Sequence, residues 1–422
     1  MGYKGNSRTR KMLIATLAAI GLAVPVVAAA SNADTGPVLF GLAQITAGQQ
    51  FGTGGPEGLV FGAHRIRLGI YGDAVPGINY YFQYKWDGLY NSATPGFPPG
   101  SSEGVSTAFI NFRLASQAQI QVGKFIVPVG LERYQFGEEG NDLWFIQRAM
   151  NNDLLPNRDI GVMFHGENVG IHGLAYHLGI FNNASTTPAN AYSAAHINAI
   201  KGLSAVSGAG QGGLPNGSGN YLFAGMLSYQ FSPLLSIELS GDRANALNEV
   251  KRIGPFSVPE AASETTWNVG LRGGYAGLDY LAEYTRNQNF AGVAGDDVSD
   301  AYLALKANLR KLGIVHYDIS PTFRFDHYEI NNNPDWQYVQ GWIGVSGQTL
   351  DNITAGVNYD LNPNNPYAAR VQLNYIMPTG NADVFRYNLS HPQNILAQSG
   401  AGFVPFGAAI YNTLQVQFQV GF

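Results

Sequence analysis

The 422-residue sequence has no cysteine, which excludes a disulfide framework and any cysteine-ligated metal centre. Charged residues make up only 13% of the chain. Beyond residue 30 no run approaches the eighteen or more apolar residues of a membrane helix. HExxH, Walker and GxSxG motifs are all missing, and the eight histidines are not grouped at metal-ligand spacing. Serine, histidine and aspartate are present, but no spacing singles out a nucleophile, a base and an orienting group. The expectation is therefore a non-enzyme with no catalytic residues, no cofactor and no metal.

The first thirty residues read as an export signal. Lys4, Arg8, Arg10 and Lys11 form a positive n-region, Met12 to Val27 is largely apolar, and Ala28, Ala29 and Ala30 supply small residues for cleavage. Residues 1–30 are expected to be removed, leaving 31–422 as one domain. That mature chain has twenty basic and twenty-nine acidic residues, a net charge of about −9, which argues against a nucleic-acid partner.

What the chain does have is 53 glycines, 23 tyrosines and 23 phenylalanines. Many of them sit in runs of period two, the signature of strands with one apolar and one polar face. At the C-terminus, Leu414, Val416, Phe418, Val420 and Phe422 alternate with Gln415, Gln417, Gln419 and Gly421. Ile66, Leu68 and Ile70 oppose Arg65, Arg67 and Tyr71, and Ala118, Ile120 and Val122 oppose Gln117, Gln119 and Gln121. Similar runs recur at 78–87, 105–114, 160–165, 173–180, 267–272, 303–309, 322–326, 353–360 and 370–375. Runs of this length suit tilted strands that cross a bilayer, where a spanning sheet must close on itself to pair its backbone groups.

Connections alternate between tight turns (74–77, 115–116, 168–169, 232–233, 276, 361–366) and long gaps (49–62, 88–104, 125–157, 182–220, 244–263, 288–297, 331–350, 378–410). With a weak first strand near 38–48, and 331–350 taken as one loop despite a strand-like stretch at 336–347, the count is sixteen. This is an all-β, transmembrane antiparallel β-barrel with both chain ends at the short-turn, periplasmic rim. The location implied is the outer membrane of a Gram-negative bacterium, reached through the periplasm.

Charges avoid a lipid-facing surface. Parity accordingly turns Arg65, Arg67, Lys85, Arg113, Arg272, Lys306, Arg324 and Arg370 inward, together with Asp87, Asp159, Glu238, Asp242, Asp279, Glu283, Asp326 and Asp360. Strict alternation would turn Lys124 outward, but a bulge where its strand meets the next loop would re-aim it into the lumen. The segment 125–157 is expected to fold into the lumen as a constriction. It carries Arg133 and Arg148 among Glu132, Glu138, Glu139, Asp142 and Asp153, and Leu143, Trp144, Phe145 and Ile146 could pin it to the inner wall. With Arg158 at its far end, these cations complete the expected pore-lining set.

Several motifs resemble the phosphate-selective porin O and P family. They are Arg65-Ile66-Arg67-Leu68-Gly69, Gly123-Lys124-Phe125-Ile126-Val127-Pro128-Val129-Gly130-Leu131-Glu132, Arg158-Asp159-Ile160-Gly161-Val162 and Gly179-Ile180-Phe181-Asn182. Near the C-terminus, Thr354-Ala355-Gly356-Val357-Asn358-Tyr359 and Val371-Gln372-Leu373-Asn374-Tyr375 resemble its closing strands. The resemblance implies a sixteen-stranded homotrimer in outer-membrane lipid, with its third loop folded inward and passive uptake of small anions. The chain departs from the family's dense clusters of lysine and arginine, since Ile66 separates Arg65 from Arg67.

The expected function is passive diffusion of small hydrophilic solutes, including anions such as phosphate. The alternatives are a strongly phosphate-selective porin and a non-conducting structural or adhesive barrel. A balance of eight inward basic and eight inward acidic strand residues, plus an acidic loop, predicts weak selectivity with little phosphate preference.

Overall fold

A soluble protein hides its apolar side chains; this chain does the reverse. In the computed structural model, Leu68, Phe82, Ile110, Phe164, Leu178, Leu239, Leu303, Phe325, Leu373 and Phe418 are exposed. Gln83, Asn268, Thr285, Asn352, Gln372, Asn374, Gln415 and Gln417 are almost fully buried. That inversion suits a wall with hydrocarbon on its outer side. The structure describes residues 36–52, 58–86, 104–136, 143–182, 221–244, 263–290, 295, 297–332, 347–362, 365, 368–390 and 409–422. The expected signal segment, the strand-like stretch before 347, Asp87, Glu138, Glu139 and Asp142 lie outside the described residues.

Sixteen strands form one closed antiparallel barrel. They are β1 (Val38–Phe51), β2 (Val60–Val75), β3 (Ile78–Lys85), β4 (Gly104–Ala115), β5 (Ala118–Ile126), β6 (Arg158–Glu167), β7 (Leu174–Phe181) and β8 (Leu222–Ser232), then β9 (Leu235–Ala244), β10 (Glu264–Tyr275), β11 (Leu278–Gln288), β12 (Asp297–Ala307), β13 (Ile319–Asn332), β14 (Gln348–Asp360), β15 (Ala369–Gly380) and β16 (Asn412–Gly421). Each strand pairs with its chain neighbours. The seam is closed by β1 and β16, from Leu42↔Gly421 to Phe51↔Asn412, so no edge is left unpaired. The first strand, weak by alternation, is therefore fully paired on both sides. Among the described residues no helix is long and apolar enough to cross a membrane; the strands span it.

The short-turn rim differs from expectation in two places. The turn expected at 168–169 runs from 168 to 173, with Asn168 at φ 55°. The strand expected to continue through Leu309 ends at Ala307. There the Asn308 side chain accepts from the Lys311 amide at 2.9 Å and donates to Asp318, which folds 308–318 into a compact connection. Within the last long connection, a helix at Ala382–Ser390 packs Ala382 and Phe385 against Met150, Leu154, Tyr328, Ile330 and Leu350.

Candidate functional site

The connection between β5 and β6 sits inside the barrel. Its path can be followed through bonds to the inner rows of strands far from its own ends. The Gly130 amide donates to Ser240 of β9 at 3.0 Å, and the Glu132 amide donates to Glu283 of β11. The Ile146 amide donates to Asn374 of β15 at 2.7 Å, and the Met150 amide to Asp326 of β13 at 3.3 Å. The Trp144 carbonyl accepts from Asn358 of β14, and the Leu143 carbonyl from Arg370 and Gln372 of β15. On the return, the Leu154 carbonyl accepts from Asn287 of β11 at 3.1 Å. These bonds occupy the arc from β9 to β15.

Local sequence explains this seat. Gly130 has φ 88°, and a Cβ there would lie 2.3 Å from Leu155, so only glycine allows the turn into the helix Leu131–Gln135. Leu131 then rests over Gly270 of β10, where an added Cβ would come 2.6 Å from it. Leu143, Phe145 and Ile146 are at most 3% exposed. Glu132 receives the Ala149 amide at 3.1 Å and the Asn152 side chain at 2.9 Å, tying the two halves of the loop together.

The twelve expected pore residues separate into groups. Three are clamps. Arg133 donates to Asn152 and to the Leu155 and Pro156 carbonyls within the loop. Arg324, 1% exposed, pairs with Asp326 at 2.7 Å and donates to the Gln147 and Arg148 carbonyls. Arg370 pairs with Asp360 at 2.5 Å as well as holding Leu143. Arg272 and Lys306 lie beneath the loop, toward the short-turn rim.

Lys124 is a correction. The β5–β6 ladder runs without a register shift from Gln119↔His165 to Ile126↔Arg158, so no bulge re-aims it. It pairs with Ala108 and Ile160 of the outward rows, and its Nζ donates to the Val105 carbonyl at 3.0 Å. It therefore takes the outward register, although the charge of Arg158, two residues along the paired strand, still acts on it.

The remaining cations are Arg65, Arg67, Lys85, Arg113, Arg148 and Arg158. Four of them stand on β2, β3 and β4, outside the arc that the loop covers. Arg65 donates to Gln44 at 2.7 Å, and Arg113 donates to Asn79 at 3.0 Å. Arg158 has the outward register opposite Ile126, yet at the first position of β6 its Nε reaches the buried Thr107 hydroxyl at 3.1 Å. Arg148, on the loop, donates to the Glu132 carbonyl at 3.2 Å and is partly exposed. Burial depresses its guanidinium, Glu132 opposes this, and the charges of Arg158 and Arg67 add to the depression. Arg67, Arg148 and Arg158 thus form one electrostatic group.

The acids are distributed differently. Glu238, Asp242, Glu264, Glu283, Asp300 and Asp326 all lie on β9 to β13, and each is at most 7% exposed. They lie under the loop or among wall amides; Glu283, for example, also accepts from Asn151. Other inward acids lie elsewhere: Asp159 on β6 next to Arg158, Asp360 on β14, and the partly exposed Asp73 on β2 and Asp279 on β11. It is the six buried acids of β9 to β13 that lie apart from the bases of β2 to β4. Two features escaped the alternation argument. One is the set of wall amides that receive the loop: Asn358, Gln372 and Asn374. Their only signal is a polar residue at inward parity. The other is an inner row of aromatics, in which Tyr81 stacks between Tyr71 at 6.4 Å and Phe109 at 5.4 Å. Among the described residues no group of three or more His, Asp or Glu could hold a metal ion.

Comparisons with known proteins agree with this architecture. The comparison with curated protein sequences gives no match. Among solved structures, Salmonella typhi OmpF in complex with daunomycin superposes with TM-score 0.58 at 12% identity, covering 92% of this chain and 97% of that one. The anion-selective porin from Comamonas acidovorans gives 0.57 at 12% identity, covering 92% and 99%. The trimer form of Vibrio cholerae OmpT gives 0.53 at 10% identity, also covering 92% and 99%. At these identities the likeness concerns the fold. The sequence match is narrower: the family model described as phosphate-selective porin O and P matches residues 48–211, the end of β1 through β7 and beyond. The C-terminal motifs that resemble the family fall outside that match. Residues 48–211 thus have the sequence character of the phosphate-selective porin O and P family, and the chain as a whole has the sixteen-stranded fold of a Gram-negative outer-membrane porin.

Proposed function

We propose that this barrel is a passive diffusion channel for small hydrophilic solutes, with a preference for anions over cations. The observation that supports it is the separation of charge across the lumen. Six acids of β9 to β13 are buried under the loop or among wall amides, while Arg67, Lys85, Arg113, Arg148 and Arg158 are at least partly exposed. A solute feels the charges that face water, more strongly where low-dielectric walls focus the field. Sixteen strands enclose enough width for an aqueous path even with one loop folded in. The loop 125–157 acts as the constriction, and its Arg148 with Arg67 and Arg158 forms the filter. Anion preference is a property of the Comamonas acidovorans porin with the same fold.

Strong phosphate affinity is not part of this reading, because Arg65, Arg324 and Arg370 are spent on protein acceptors. Replacing Arg67 and Arg148 together with glutamine should shift the zero-current potential in a potassium chloride gradient toward the cation side. An unshifted potential in a folded double variant would refute the filter assignment.

The working unit is proposed to be a homotrimer. Tyr80, Phe82, Ile110 and Phe112 offer an outward apolar surface on β3 and β4, and Vibrio cholerae OmpT has a trimer form. Residues 1–30 are proposed to be an export signal that is removed.

A further inference from the structure

Beneath the loop, on the side of the short turns, is a cavity of about 330 Å3. Its walls are Phe136 and Trp144 from the loop, Arg272 and Leu281 from β10 and β11, and Lys306 from β12, with Pro233 of the β8–β9 turn at its rim. Arg272 comes two residues after Gly270, the seat of Leu131, so it lies one step below the loop along the inner row.

The side chains here are arranged unevenly. Lys306 is already engaged: its Nζ bonds Asp279 at 3.1 Å and sits 4.8 Å above the Trp144 ring. Phe136 stands edge-on to Trp144 at 6.2 Å, giving a two-ring apolar corner. Arg272 is half-buried and lines the same cavity, yet its guanidinium makes no hydrogen bond or ion pair with any described residue. Among the described residues, Glu238 is the carboxylate whose charge acts on it, and that carboxylate already accepts from Ser240 at 3.2 Å. A guanidinium offers a planar fork that matches a carboxylate in two parallel bonds. An aromatic corner and a cation with unused donors, facing one cavity, suit a flat ring bearing an anionic group.

We propose that this cavity binds small aromatic carboxylates, with the ring against Trp144 and Phe136 and the carboxylate on Arg272. The site is separate from the Arg67, Arg148 and Arg158 filter, and it deepens the diffusion-channel reading by naming a favoured class of solute. It predicts an asymmetric effect, since the cavity lies on the short-turn side of the loop.

The test uses benzoate as probe, with acetate and inorganic phosphate as controls, on the whole folded protein. In planar bilayers, benzoate added on the short-turn side should interrupt the chloride current. Arg272→Gln should shorten those interruptions about tenfold, the loss of a charge-assisted pair, and Arg272→Lys should restore part of the dwell time. Acetate, lacking the ring, and phosphate should give only brief events. Titration calorimetry of benzoate into detergent-solubilised protein gives a readout independent of conduction. Benzoate binding that Arg272→Gln weakens tenfold supports the site even if no current is seen, in which case only the channel reading fails. Benzoate that neither binds nor blocks, or that binds Arg272→Gln as well as the unaltered protein, overturns the site while leaving the channel reading intact. If Arg272→Gln fails to fold, the unaltered protein decides: benzoate binding about tenfold tighter than acetate supports the site, and equal binding overturns it.

Discussion

At the scale of single residues, the arginines of this lumen do two kinds of work that one side chain cannot combine. Arg324 is buried, paired with Asp326, and bonded to the carbonyls of residues 147 and 148. Its charge is consumed locally. Arg67 and Arg148 remain partly exposed, and in the proposed channel they set the field that a solute meets. Substitutions should separate the roles. Arg324→Ala leaves Asp326 buried without its cation, and breaking such a pair costs about 3–5 kcal/mol. We expect that loss in urea unfolding of the detergent-folded protein, together with a less ordered loop and a larger, noisier conductance. Arg67→Gln should leave stability within about 0.5 kcal/mol and lower anion preference. If Arg324→Ala proved as stable as the parent with unchanged current, the clamp assignment would fail.

At the scale of elements, period-two alternation made most of the wall legible, because lipid outside and water inside impose opposite chemistry on successive residues. The last strand is the clearest case: Gln415, Gln417 and Gln419 lie almost fully buried while Phe418 and Val420 stand out. Where alternation failed, a local interaction overrode it. Leu309 continues the apolar period of β12, but Asn308 turns the chain before it. The seat of the β5–β6 loop was legible only as a charged insertion. Parity says that a residue points inward, but not which strands across the barrel it will meet. The same blindness meant that the count of eight inward bases and eight inward acids did not say which of them face water. Two substitutions test the element-level account. Phe325→Arg, on the outer face beside inward Arg324, should destabilise by about 2–4 kcal/mol if it lies near the bilayer midplane, measured by unfolding from lipid vesicles. Gly270→Ala should displace Leu131, because its Cβ would come 2.6 Å from that side chain. Protease cleavage within 125–157 should then increase while the barrel itself stays folded. A loop equally resistant in Gly270→Ala would argue that it is held from elsewhere.

At the scale of the whole molecule, the barrel and its inner loop make one device: an apolar outer wall that holds the protein in lipid, and a lumen in which six acids of β9 to β13 are buried while Arg67, Lys85, Arg113, Arg148 and Arg158 stay at least partly exposed. The proposed homotrimer belongs to this scale, and gentle detergent extraction followed by native mass measurement should give three times the mass of the processed chain. A monomer under every gentle condition would remove that proposal without touching the pore. The central claim concerns the charge that water-filled space presents, and the zero-current potential of the unaltered protein in a potassium chloride gradient reads it most directly. The account predicts a potential on the chloride side of zero that shrinks as salt rises and screens the field, with millimolar rather than micromolar phosphate needed to reduce the chloride current. A potential on the potassium side would contradict it, because it would mean that the acids under the loop, not the arginines opposite, govern what passes.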